Sequence, residues 1–267
     1  MKKNNYSIGV FDSGLGGLTV LHELKQIMPY EKFIYFGDTA HIPYGNKSKS
    51  TIEKYCLDII NFLETKKIKL IIVACNTASS VALKKIKKHT KIPIIDVVSP
   101  CVLNAISKTK NNRIGIIGTE TTISSKSYQK QIRTINKNIK IFSRSCPLFV
   151  PVIEEGETQQ QFVIDIAKFY LNKFNKHNID VLILGCTHYP MIKDIIKKTL
   201  NSNIRIIDSA ISTAKHVNDY LDNKNNKSDN NEIVYDEYYV SDKMVRFYDI
   251  ANMFLKQKIK KIIQINF

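Results

Sequence analysis

Four short apolar runs rich in Ile and Val recur in the same order in the second part of the chain. SIGVFDSG at 7–14 matches RIGIIGTE at 113–120, and FIYFGDT at 33–39 matches IKIFSRS at 139–145, both offset by 106. LIIVACNT at 70–77 matches VLILGCTH at 181–188 at an offset of 111, and IPIIDVV at 92–98 matches IRIIDSA at 204–210 at 112. A chain that repeats itself in this way builds two similar units. The runs are too short for helices, and they are continuous rather than alternating, as strands are when both faces are covered. Helical stretches separate them, the pattern of βαβ units on a parallel sheet. Helices are expected near 17–28, 50–66, 78–89, 121–135, 157–175, 190–200, 209–222 and 242–257.

The expected fold class is therefore α/β: two pseudo-symmetric doubly wound domains with mainly parallel sheets and a site in the cleft between them. The repeat places one domain at 1–97 and the other at 98–209. The polar segment DNKNNKSDNNE at 222–232 reads as an exposed loop. Beyond it, EIVYDEYYV reads as a strand, DKMVRFYDIANMFL as a helix and KKIIQINF as a last strand. These are expected to return to the first domain, which then comprises 1–97 and 210–267.

Composition removes several function classes. The formal charge is +16, but only five of the 40 basic residues are arginine (Arg113, Arg133, Arg144, Arg205 and Arg246). Bidentate recognition of phosphate and bases favours arginine, and the lysines fall in runs such as KKIKKHTK at 84–91 that read as solvated helix faces. No nucleic-acid partner is expected. No apolar run approaches membrane-spanning length, so no membrane partner is expected either. The opening MKKNNYSIGVFDSG has too short an apolar stretch for a signal-peptide core, which points to the cytoplasm. The five cysteines show neither CxxC nor metal-finger spacing, so neither a disulfide framework nor a structural zinc site is expected.

In open α/β sheets, ligands bind beyond the carboxyl ends of the strands. The residues there are Asp12-Ser13-Gly14-Leu15-Gly16-Gly17, Pro43-Tyr44-Gly45, Cys75-Asn76-Thr77, Thr119 to Thr122 and Cys186-Thr187-His188. The glycine-rich turn does not complete a dinucleotide fingerprint, because Thr19 stands at the third glycine position and Asp12 would oppose a pyrophosphate. Pro43-Tyr44-Gly45 suits a turn with Pro second and Gly fourth. Ser13, Asn76, Thr77 and Thr187 supply neutral donors for a small substrate with one or more carboxylates, while Asp12 would face its ammonium or a thiol. Cys75 and Cys186 occupy equivalent positions of the repeat, each followed by hydrogen-bonding residues. A cysteine ending a strand is ordinarily a buried hydrophobe; the pairing favours two thiols serving as acid and base on the two faces of one carbon. A metal site from Cys75, Cys186 and His188 lacks a fourth ligand. His188 beside Cys186 would tune its protonation.

FDSGLGGLTVL, YFGDTAHIPYG, ACNTAS, PLFVPVIEEG and GCTHYP, in that order and over nearly the whole length, resemble the aspartate/glutamate racemase family, and its glutamate racemases most closely. The resemblance implies cofactor-independent interconversion of L-glutamate and D-glutamate, supplying D-glutamate for peptidoglycan and so cell-wall biogenesis and cell shape, with a possible homodimer. It implies that Cys75 and Cys186 are the catalytic acid/base pair, assisted by Asp12 and His188. Asp12, Ser13, Tyr44, Gly45, Asn76, Thr77, Thr187 and His188 would hold the substrate, and Thr119, Thr122 and Glu155 would line the second-half wall. Aspartate racemase relatives typically carry a glutamate where this chain has His188. The alternatives are an aspartate or related amino-acid racemase and a non-catalytic amino-acid-binding protein.

Overall fold

The computed structural model describes residues 3–243 and 247–265. Its ten strands are β1 (Ser7–Asp12), β2 (Phe33–Gly37), β3 (Ile68–Val73), β4 (Ile94–Asp96), β5 (Arg113–Gly118), β6 (Lys140–Ser145), β7 (Val181–Gly185), β8 (Arg205–Asp208), β9 (Glu237–Val240) and β10 (Ile263–Gln264). They form two sheets, ordered β10-β9-β2-β1-β3-β4 and β6-β5-β7-β8, and every described pairing is parallel. The order β2-β1-β3-β4 in one sheet is the order β6-β5-β7-β8 in the other, strand for strand as the repeat pairs them. The register repeats too: Phe11 lies opposite Val73, and its counterpart Ile117 lies opposite Leu184.

β1, β2, β3 and β7 are buried along their whole length, which is why they read as unbroken apolar runs. β6 is mostly half-buried and carries exposed Lys140 and Ser143. It is an edge strand, whereas its counterpart β2 is covered by β9. This position explains why IKIFSRS diverged most from its partner. β9 pairs with β2 and β10 with β9, so both extend the first sheet. β9 is shorter than the EIVYDEYYV run, because 233–236 are not strand. Residues 244–246 of the expected 242–257 helix, Arg246 among them, and the last two of the expected final strand lie outside the described residues.

Two helices escaped sequence reasoning. Val98–Lys108 starts directly after β4, where the Asp96 carboxylate accepts the N–H groups of Val98 and Ser99 at 2.8 and 2.9 Å. Phe149–Glu154 contains Pro151, placed in the first turn where its missing N–H costs nothing. The expected 78–89 helix divides at Ala82 into Asn76–Val81 and Leu83–His89. The expected 121–135 helix divides at Lys126, whose φ of 57° is left-handed. The expected helix near 157–175 runs Gln161–Lys176, and the one near 190–200 opens as a 3-10 turn before Lys193–Thr199.

At the amino end of the first sheet, Lys69 and Glu31 form an ion pair at 2.7 Å, with side chains 0% and 4% exposed. Lys69 Nζ also donates to the carbonyls of Asn4 at 2.6 Å and Asn226 at 2.8 Å. Ser228 N–H donates to Glu31 at 2.8 Å. The polar loop after residue 222 is thus partly tied to the sheet's base, remote along β3 from Cys75.

Candidate active site

The carboxyl ends of β1, β2, β3, β5, β6 and β7 converge on one cavity of about 490 Å³. Ser13, Tyr44, Gly45, Cys75, Asn76 and Thr77 line it from the first half; Thr119, Glu155, Cys186, Thr187 and His188 line it from the second. Asp12 and Thr122 are not in its wall. Both are buried just behind it. No lysine or arginine lines the cavity among the described residues, so His188 is its one potential side-chain cation.

Cys75 ends β3 and caps the helix Asn76–Val81. Its sulfur accepts the Ala78 N–H at 3.4 Å and donates to Ser13 Oγ at 3.5 Å. Burial, with the Asp12 charge adding to it, pushes the Cys75 thiol up to about 12 against the bonds from Ser13 and Ala78. Cys75 is thus a thiol at rest.

Cys186 stands at the equivalent strand end, with its sulfur 3.8 Å from His188 Nδ1. The other ring nitrogen, Nε2, lies 2.9 Å from the Glu154 carboxylate. Burial works against a charged imidazole, but the Cys186 sulfur and Glu154 together outweigh it and push His188 up to about 10. An anionic Cys186 sulfur would therefore face an imidazolium. The two halves are equivalent in backbone but not in charge: Cys75 neighbours a carboxyl group, Cys186 a cation.

Asp12 is fully buried. Its Oδ2 accepts the Gly14 N–H at 3.0 Å, and its Oδ1 has no hydrogen-bond partner among the described residues. Burial raises its pKa, opposed by His188 and the N–H groups of Gly14 and Gly17. Gly16 packs so closely on the second half that a Cβ there would lie 2.4 Å from both His188 Nδ1 and Thr187 Oγ1. Thr19 donates its hydroxyl to the Thr187 carbonyl at 2.9 Å. The residue that spoils the dinucleotide pattern is a tie between the halves.

Several expected substrate donors are already committed. Asn76 Oδ1 accepts from Tyr128 Oη at 2.5 Å, and its Nδ2 donates to Ser209 Oγ at 3.3 Å. Thr77 shares hydrogen bonds with Thr119 at 3.0 Å and Thr122 at 3.4 Å. Asn76 and Thr77 line the cavity at the first turn of their helix, where main-chain N–H groups lack intrahelical partners. Tyr44 Oη donates to Asp38 at 2.5 Å, and Asp38 also receives Ser241 Oγ at 2.8 Å and faces His41 at 2.8 Å. The turn is a 3-10 turn over Tyr44–Asn46, closed by Lys47 N–H on the Tyr44 carbonyl. It starts later than expected because Pro43 is extended, with ψ of 143°.

Two functional neighbours, Glu154 and Tyr128, were missed, and Thr121, within the expected strand-end run Thr119 to Thr122, was given no role. Glu154 lies beside the predicted Glu155 in the EEG motif; both line the cavity, but Glu154 is the one bonded to His188. Tyr128 and Thr121 lie in the second half and bond Asn76 and the Gly45 carbonyl, the latter at 2.8 Å. Only the adjacency of Glu154 to a chosen residue could have flagged it. Tyr128 carries no local signal, whereas Thr121 falls in the strand-end run.

A family model described as Asp/Glu/Hydantoin racemase matches residues 18–217. The chain is 42% identical over 260 residues to the glutamate racemase of Geobacter metallireducens, covering 97% of this chain and 96% of that protein. Its fold is similar to the glutamate racemase of Francisella tularensis solved in complex with D-glutamate, with a TM-score of 0.93, 39% identity and 98% of both chains covered. It is also similar to a glutamate racemase isoform from Bacillus anthracis, with a TM-score of 0.94, 34% identity and 98% of both chains covered. By its fold, its strand-end motifs and these likenesses, the chain belongs to the Asp/Glu/hydantoin racemase family.

Proposed function

We propose that the protein interconverts L-glutamate and D-glutamate without a cofactor, through Cys75 and Cys186. The observation that carries the reading is that these two thiols line one cavity from equivalent strand ends of two repeated halves. A thiolate removes the α-proton from one face and becomes a thiol. The opposite thiol gives its proton to the other face and becomes a thiolate. Cys75 takes the proton from D-glutamate and Cys186 from L-glutamate.

Glutamate, the substrate named for the relatives, fits the cavity's chemistry. Its carboxylates meet main-chain N–H groups and the hydroxyls of Ser13 and Thr187, with His188 as a nearby positive charge. Negative charge developing on the substrate is best met by donors fixed in advance in a closed site. Asp12 and His188 act through their adjacent thiols: Asp12 adds to the burial that keeps Cys75 protonated at rest, and His188 gives Cys186 a counter-charge. Tyr44, Gly45, Asn76 and Thr77 shape the wall, with Thr119, Thr122 and Glu155 on the second half.

We take residues 1–97 with 210–267 as one domain and 98–209 as the other, so substrate enters where they part. The physiological role is supply of D-glutamate for peptidoglycan, in the cytoplasm. Incubating either isomer with the protein in deuterated water tests the reaction. Deuterium should enter the α-position as the opposite isomer appears, with no added cofactor. Retained α-protium with measurable ligand affinity would instead indicate a binding protein, and exchange of aspartate in preference to glutamate would reassign the substrate.

A further inference from the structure

The end of the chain reaches the Tyr44–Asn46 turn through one buried carboxyl group. Asp38 follows β2 directly and is buried. Its Oδ2 accepts from Tyr44 Oη at 2.5 Å; its Oδ1 accepts from Ser241 Oγ at 2.8 Å and faces His41 Nδ1 at 2.8 Å. Side chains from the cavity's turn, from the 3-10 turn Thr39–His41 and from the residue after β9 thus meet on Asp38. A buried carboxyl group needs its oxygens met, so each of these contacts holds the others in place.

Ser241 is itself held. It donates its N–H to the Gly37 carbonyl at 3.1 Å, and its hydroxyl accepts the Ala40 N–H at 2.8 Å. Beside it, Asp242 N–H donates to Thr39 Oγ1 at 2.9 Å, and that hydroxyl donates to the Asp242 carbonyl. The His41 ring stacks on Tyr55, with centroids 3.9 Å apart. With its hydroxyl committed to Asp38, Tyr44 serves as a tether. What it tethers is a turn that borders the cavity at Gly45, whose carbonyl Thr121 holds from the other half.

We propose that Asp38, His41 and Ser241 are positioning residues for the Tyr44–Asn46 turn, so that the returning end of the chain sets the affinity for substrate. The inference rests on the glutamate reading of the cavity. Neither thiol belongs to the cluster: Cys75 is bonded to Ser13 and Ala78, and Cys186 faces His188. Loosening the cluster therefore weakens substrate binding rather than proton transfer, which reads as a raised KM with kcat little changed.

The test is steady-state kinetics of Ser241→Ala with both glutamate isomers. KM should rise about threefold or more, with kcat within about twofold of wild type; the loss is less than a whole hydrogen bond to a charged group is worth, because Tyr44 and His41 remain on Asp38. His41→Phe repeats the test where the side chain is 37% exposed, which spares the fold if Ser241→Ala does not. It keeps a ring against Tyr55, removes Nδ1 and should raise KM too. Tyr239→Phe is the comparison. It removes from β9 a hydroxyl bonded to Lys66 at 2.9 Å and Glu237 at 2.6 Å, outside the cluster, and should leave KM unchanged. A merely structural role would lower the active fraction, and so the apparent kcat, without moving KM. An unchanged KM in either cluster variant that folds, or an equal rise in Tyr239→Phe, would overturn the assignment. Failure of the glutamate reading would show separately, as absent α-proton exchange by the wild-type protein.

Discussion

Gly16→Ala should disable the site while leaving the fold in place. The added Cβ would sit 2.4 Å from His188 Nδ1, 2.4 Å from Thr187 Oγ1 and 2.5 Å from His188 Cε1. The imidazole atoms cannot swing away freely, and the Thr187 main chain is tied in place. The imidazole is held by Glu154 at 2.9 Å and packs edge-on against Phe254, with ring centroids 5.2 Å apart, while the Thr187 carbonyl is held by Thr19. Relief to an ordinary contact needs a shift of about 1 Å, and a misplacement of about that size can cost on the order of 100-fold in rate. Overpacking of this kind typically costs about 1–3 kcal/mol, or several degrees in Tm for a chain of this size. The assay is kcat/KM for both isomers by circular dichroism, beside a thermal melt. Gly9→Ala, within β1 ahead of that loop, is the control, because its Cβ would meet only the ends of two aliphatic side chains, Leu63 at 3.3 Å and Ile68 at 3.6 Å. Its activity should stay near wild type. A Gly16→Ala protein within about threefold of wild-type kcat/KM would refute the claim that the β1 loop fixes His188 and Thr187 in a working geometry.

Glu154→Gln should lower the His188 pKa from about 10, because the carboxylate is one of the groups raising it; an imidazole NMR titration reads the shift. As His188 then loses its charge at lower pH, racemisation should fall more at pH ~9 than at pH ~7 relative to wild type. Cys75, pushed up to about 12, should react with iodoacetamide at pH ~8 roughly 10³-fold more slowly than a free thiol, since only the thiolate reacts. Its rate, read by peptide mass spectrometry, should climb about tenfold per pH unit with no plateau near pH ~9. Lys69→Met should cost about 3–5 kcal/mol in urea unfolding by stranding the buried Glu31 carboxylate. The folded remainder should keep its activity, because that pair lies at the far end of β3.

Much of the architecture was readable because strands buried on both faces leave a dense apolar signature and the duplication supplied an internal control. Aligning β1 to β5 and β3 to β7 pairs the two units strand for strand, and the two sheets share one strand order. The strand-end residues followed from the rule that parallel sheets bind ligands there. Legibility failed where the determinants are tertiary. The Val98–Lys108 helix rests on a cap from Asp96 rather than on a polar linker, so it ran together with the strand before it. Glu154 and Glu155 look alike in sequence; only the helical turn over Phe149–Glu154 decides which one reaches His188. Asn76 reads as a free rim amide because Tyr128, which holds it, is 52 residues away.

The most direct test of the two-thiol account is to make Cys75→Ala and Cys186→Ala and to assay each from both L-glutamate and D-glutamate. Each variant should bind glutamate yet lose interconversion in both directions, because every turnover needs one sulfur to take a proton and the other to return one. Near-wild-type interconversion by either variant would contradict it.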